Sequence, residues 1–118
     1  MKVLVVGASE NVERYSNRAM RLLKKKGHQV LAFGLREGMV EDMEIKKTFP
    51  PEGSVDTVTL YVGPDHQPTV MKEIIGLKPR RVIFNPGTEN PNFYKLLEIA
   101  GIGYEEACTL VLLNSGAF

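Results

Sequence analysis

Four clusters of small or turn-forming residues stand out: Gly7-Ala8-Ser9, Gly34, Gly63-Pro64 and Asn85-Pro86-Gly87. Each follows a short apolar stretch. Such clusters let backbone approach a ligand closely, because little side-chain bulk stands in the way. The first is the most suggestive. Backbone N–H groups after Gly7, followed by the start of a helical stretch, make a cradle for an anion. Ser9, Asn11 and Ser16 add side-chain partners, although Ser16 also reads as a helix cap. Arg14 and Arg18 lie in or beside the first helical turn. Cations there oppose the helix dipole, which makes sense beside a bound anion; the alternative is solvated surface arginine. The chemistry implied is phosphate binding. The lone glycine is nevertheless not the dinucleotide fingerprint G-x-G-x-x-G.

The second cluster discriminates between ligands. An NAD site carries Asp or Glu at the end of the second strand, where it accepts from the ribose hydroxyls. Here the stretch is Phe33-Gly34-Leu35-Arg36, and the nearest acid, Glu37, is already out in the loop. Arg36 favours a phosphate on the adenosine ribose. NADP and coenzyme A both carry one.

No catalytic constellation stands beside these clusters. His28 precedes a strand at its amino end and reads as surface. His66 follows Pro64-Asp65 on the ligand edge and reads as a loop histidine. Glu89, Glu105 and Glu106 have no evident partner to tune them. Cys108 reads as a buried inert thiol; facing the groove, it could form a mixed disulfide under oxidation. Two histidines and one cysteine, far apart, offer no metal-ligand spacing.

The elements that must position these residues are legible from hydrophobic patterning. Val3–Val6 is an aliphatic run suited to a strand covered on both faces. Tyr15–Lys26 places Ala19, Leu22 and Leu23 on one helical face, and Gly27 ends it. Strands are expected at Gln29–Phe33, Thr57–Val62, Arg81–Phe84 and Ile102–Glu105. Helices are expected at Gln67–Leu77 and Pro91–Ala100. Gly34–Asp56 is poorly patterned, with a short strand near Glu44–Lys46. Cys108–Leu113 is a buried apolar segment of either type. The alternation implies an α/β fold. It is a doubly wound, mostly parallel Rossmann-like sheet of about five strands with helices on both faces. In a parallel sheet all four clusters fall on one carboxyl edge, forming a groove for an extended ligand.

Bulk properties agree with one domain over residues 1–118, long enough to bury a core without disulfides or metals. Fifteen basic and 14 acidic residues give a net charge of +1, which argues against a nucleic-acid partner. No apolar run approaches membrane-spanning length, and no signal-peptide pattern opens the chain. A single cysteine excludes an internal disulfide and fits a reducing cytoplasm.

With these residues placed, the chain resembles small stand-alone CoA-binding domain proteins, related to the CoA-binding domain of succinyl-CoA synthetase alpha subunits. The resemblance runs through "GASEN", "RYSNRA", "GHQVLAFG", "DTVTLYVGP", "KPRRVIFNPGTEN" and "EACTLVLL". It implies that Ala8, Ser9, Asn11 and Ser16 line a phosphate loop after Gly7, with Arg18 beside it. It implies Arg36 near the ribose phosphate, beyond Gly34. It puts Val62 and Pro64 about the adenine or pantetheine arm. Asn85, Pro86, Gly87 and Thr88 form the opposite wall. The synthetase's second domain, with its phosphorylated histidine, has no counterpart here. The expected role is therefore non-catalytic binding of coenzyme A or an acyl-CoA, as a binding or regulatory module. The alternatives are an NADP- or NAD-binding redox sensor or oxidoreductase, and a structural subunit with a vestigial groove. The partner expected is a small-molecule nucleotide; a homo-oligomer or a protein partner is left open.

Overall fold

A computed structural model describes residues 1–118. Seven strands form one sheet in the order β3-β4-β2-β1-β5-β6-β7. They are β1 (Lys2–Val6), β2 (Gln29–Phe33), β3 (Gly38–Val40), β4 (Met43–Lys46), β5 (Thr57–Leu60), β6 (Arg81–Phe84) and β7 (Gly103–Glu106). Every neighbouring pair is parallel except β3 with β4. The helices are α1 (Tyr15–Lys25), α2 (Pro68–Gly76), α3 (Pro91–Ala100) and α4 (Thr109–Ser115), with a 3-10 turn at Pro64–His66.

The expected α/β class, parallel sheet and two-sided helical cover are present. The strand number is corrected from about five to seven. The difference lies in Gly34–Asp56, where β3 and β4 make an antiparallel hairpin whose β4 joins the edge of β2. Its two-residue turn puts Glu41 in the left-handed region (φ 55°), a role usually signalled by Gly or Asn. Lys24 clamps the turn to the end of α1 through Glu41 at 3.1 Å and Asp42 at 2.8 Å. The undecided segment after Cys108 is α4.

β1 shows why its sequence must be apolar throughout. Leu4 and Val6 enter one core with α2 and α3, through Val70, Ile74, Phe93 and Leu97. Val3 and Val5 enter the other with α1, α4 and the hairpin, through Met20, Leu23, Leu113, Val40 and Ile45. Each fully buried side chain of this size contributes roughly 1.5–3 kcal/mol. The amino edge is held separately. Arg81 donates to Thr57 Oγ1 at 3.0 Å, Glu105 Oε1 at 3.0 Å and the Phe118 carbonyl at 2.7 Å, fixing the chain terminus.

Candidate functional site: the carboxyl edge between β1 and β5

The chain leaves β1 for β2 on one side and later returns to β5 on the other. Between them lies the topological switch point, where open α/β sheets bind ligands. The loop after β1 and the loop after β5 face this crevice. The loops after β2 and β6 flank it, so all four clusters share one edge.

Gly7 is demanded by two independent constraints. Its φ is 95°, and a β-carbon there would come within 3.1–3.2 Å of the Tyr61 backbone and 3.2 Å of Val62. The Gly7 and Ala8 N–H groups both donate to the Phe33 carbonyl at 2.9 Å. These two amides therefore tie the loop to β2 and are not turned toward the crevice. The donors that remain come from further along. Ser9 Oγ accepts from the Asn11 N–H at 3.0 Å, and Asn11 Oδ1 accepts from the Glu13 N–H at 3.0 Å. The loop's own bonds thus engage side-chain acceptors and leave the Ser9 hydroxyl proton and the Asn11 amide protons free. That polarity suits an anion.

The start of α1 has the same polarity. Arg14 occupies the N-cap in an extended conformation, no side chain caps the helix, and no acid lies in its first turn. The first amides of an α-helix have no intrahelical partner. Ser16 sits inside the first turn and is buried, so it is not the cap. Buried Asn17 braces the loop: its Nδ2 donates to the Ser9 carbonyl at 2.9 Å, and its Oδ1 accepts from Arg21 at 2.8 Å. Arg14 and Arg18 are exposed, Arg18 lying 5.5 Å from the Tyr15 ring centre.

Beyond β2, Gly34 is buried against the first loop, while Leu35 is 89% exposed and Arg36 is exposed without an ion pair. Val62 is half-buried on the α2/α3 core, and Pro64, Pro86 and Gly87 are exposed.

Asn85 and Thr88 lie inside the fold behind that wall. Asn85, 2% exposed, donates to Thr59 Oγ1 at 2.7 Å and the Leu60 carbonyl at 3.0 Å, and accepts from the Thr109 N–H at 2.9 Å. The Thr88 hydroxyl donates to the Asn85 carbonyl at 2.7 Å. Gln67 matters more than its place at a helix start suggests. Fully buried, it donates to the Val62 and Thr88 carbonyls at 2.9 and 2.6 Å and accepts from Asn90 at 2.9 Å. It joins the β5 loop to the β6 loop. No local sequence signal marks it, because two of its three partners lie more than 20 residues away, in the β6 loop.

Tyr61 carries the one buried side-chain polar atom without a hydrogen bond. Its hydroxyl lies beside Thr59 and Thr109, which are bonded to each other at 2.7 Å. Burial pushes its pKa up to about 12, so it keeps its proton. Cys108 is half-buried at the N-cap of α4. His28 lies on the amino edge, its Nδ1 3.4 Å from the chain's amino group and its ring edge-on to Phe118. A cavity of about 680 Å³ runs along the outer edge of β2, lined in part by Lys2, His28 and Phe49. It gathers none of the loops at the switch point.

Known proteins share this fold. The sequence profile of the family described as "CoA binding domain" matches residues 1–114. A crystal structure of an uncharacterized protein shares 42% identity at a TM-score of 0.95, covering 99% of this chain and 97% of that one. A conserved hypothetical protein from Pyrococcus furiosus shares 29% identity at a TM-score of 0.81, covering 93% and 97%. A structure from Thermus thermophilus, 23% identical with a TM-score of 0.85 over 99% of this chain and 90% of that one, shares the fold. No curated protein matches significantly. With a profile match across nearly all its length and a Rossmann-like sheet whose loops converge on one edge, the chain belongs to the CoA binding domain family.

Proposed function

We propose that this protein binds coenzyme A or an acyl-CoA across the carboxyl edge of its sheet, as a non-catalytic binding or regulatory module. The observation that carries the reading is the polarity of the first loop and the start of α1. The uncapped helix end, the free Ser9 and Asn11 donors and two exposed arginines converge in a chain of the CoA binding domain family. Oriented amides and a helix dipole favour phosphate there without any catalytic group. In this reading Ser9, Asn11 and the first turn of α1, including Ser16, take the pyrophosphate, with Arg18 balancing its charge. Gly7, Ala8 and Gly34 shape the cradle. Arg36 takes the ribose phosphate. Val62, Pro64, Pro86 and Gly87 border the rest of the ligand, with Asn85 and Thr88 supporting that wall.

Native mass spectrometry of protein purified without added ligand, then incubated with coenzyme A, tests the reading. A one-to-one adduct of coenzyme A mass is expected, retained from the host or formed on incubation. Spectra that stay free of it at excess ligand, yet show an NADP adduct, reject it.

A further inference from the structure

The loop carrying Arg36 is fastened to the first loop at both ends. Gly34 and Gly38 bracket it, and neither has a left-handed φ, so what glycine provides at both is space for the first loop. A β-carbon on residue 34 would lie 2.6 Å from the Ala8 carbonyl oxygen, a backbone atom that cannot yield. A β-carbon on residue 38 would collide with the Glu10 carboxyl group, 2.7 Å from its Cγ and Oε1. Glu10 lies so close because its Oε2 accepts the Met39 N–H at 2.9 Å. Glu10 has no cationic partner; its carboxylate is used on a backbone amide.

An acid in a loop that binds phosphate calls for a reason, since like charges repel. The Met39 contact supplies one. It engages the carboxylate on β3 and fastens β3 to the first loop in the same bond.

We infer that Glu10 is a positioning residue. Together with Gly34 and Gly38 it clasps Leu35-Arg36-Glu37 against the first loop and holds Arg36 where it reaches the phosphate on the ligand's ribose. The ligand half of this inference rests on the coenzyme A reading above; the clasp does not.

The test compares coenzyme A with 3′-dephospho-coenzyme A by calorimetry on the wild type, E10A, E10Q and G38A. The wild type is expected to prefer coenzyme A by about 10- to 100-fold, the range of a charge-assisted hydrogen bond. E10A and G38A are expected to cut that preference at least about fivefold, the worth of roughly one ordinary hydrogen bond. Their affinity for the dephospho ligand should stay near that of the wild type. E10Q, whose amide oxygen still accepts from Met39, should keep the preference. Amide exchange without ligand reads the clasp itself: Met39 is expected to be protected in the wild type and E10Q and exposed in E10A and G38A. An unchanged preference in E10A and G38A, an equal loss for both ligands, or a Met39 amide indifferent to Glu10 overturns the inference. A wild type that binds neither ligand overturns the coenzyme A reading and removes this role with it. The Met39 amide, read without ligand, separates that failure from failure of the clasp.

Discussion

Asn85 reaches the backbone of Thr109, accepting its N–H at 2.9 Å, while its own amide group donates to Thr59 at 2.7 Å. One buried side chain thereby joins the end of β6, the middle of β5 and the start of α4. Replacing it with alanine removes these two bonds and the one to the Leu60 carbonyl at once. Each buried polar group left without a partner costs about 1–3 kcal/mol. Asn85→Ala is therefore expected to lower the unfolding free energy by about 3 kcal/mol or more in urea titration. A loss below about 1 kcal/mol, the level of an ordinary surface substitution, would contradict this account of the β6 wall.

Tyr61 predicts the opposite sign. Its hydroxyl is buried without a hydrogen bond, so Tyr61→Phe removes a desolvated polar group and keeps the ring. Thermal unfolding of Tyr61→Phe is expected at the same temperature or higher, with a gain of up to about 1 kcal/mol. A loss of more than about 1 kcal/mol would show that the hydroxyl is bonded after all.

Two tyrosines also shape the alkaline limit. Burial raises Tyr61 and Tyr94 from 10.0 to about 12, with the Glu106 carboxylate adding to the effect on Tyr94. A pKa raised in the folded state gives stability that is fully present below the unfolded value and lost as pH climbs through the folded one. Stability should thus fall between pH 10 and about 12. Phenolate absorbance should show two tyrosines titrating near the top of that window. Ionisation of every tyrosine near pH 10 in folded protein would contradict this.

The acid limb has two parts. Burial, the nearby amino terminus and Arg81 hold His28 below its ordinary value of 6.5. The unfolded chain takes up this proton first, so stability begins to fall as pH drops through about 6.5. Asp56 lies below 3.8, chiefly because Arg80 donates to it, and its contribution is lost at lower pH still. His28→Gln is expected to flatten the first part and Asp56→Asn the second, measured as unfolding free energy against pH. Curves that keep the wild-type shape would remove these assignments.

How much of this was legible in sequence follows from how local each signal is. Val3–Val6 reads as a two-sided strand because every residue enters a core, and the four clusters fall on one edge by topology alone. The hairpin was only half legible. Met43 and Ile45 alternate with Glu44 and Lys46, but β3 is three residues long and its turn uses Glu41 where Gly or Asn would have marked it. Thr57–Leu60 stops two residues short of the expected Val62: Tyr61 still donates its N–H to the Val6 carbonyl at 2.8 Å, but the paired residues end at Leu60. Gly38, Gln67 and Glu10 were opaque for one shared reason. Each is explained by a partner distant in sequence: Gly38 by Glu10, Gln67 by Thr88, Glu10 by Met39. Gly7 marks the turn after β1 in the sequence, but where its amide and that of Ala8 point depends on the Phe33 carbonyl, distant along the chain.

The central claim is that the edge between β1 and β5 is a coenzyme A site. Calorimetric titration of the purified protein with coenzyme A, and in parallel with NADP, tests it most directly. Coenzyme A is expected to bind one to one at roughly micromolar affinity, about −8 kcal/mol, and to raise the unfolding temperature as any ligand selective for the folded state must. Arg18→Ala should weaken it. No heat and no thermal shift with coenzyme A or acetyl-CoA, in a preparation where NADP gives both, would contradict the account.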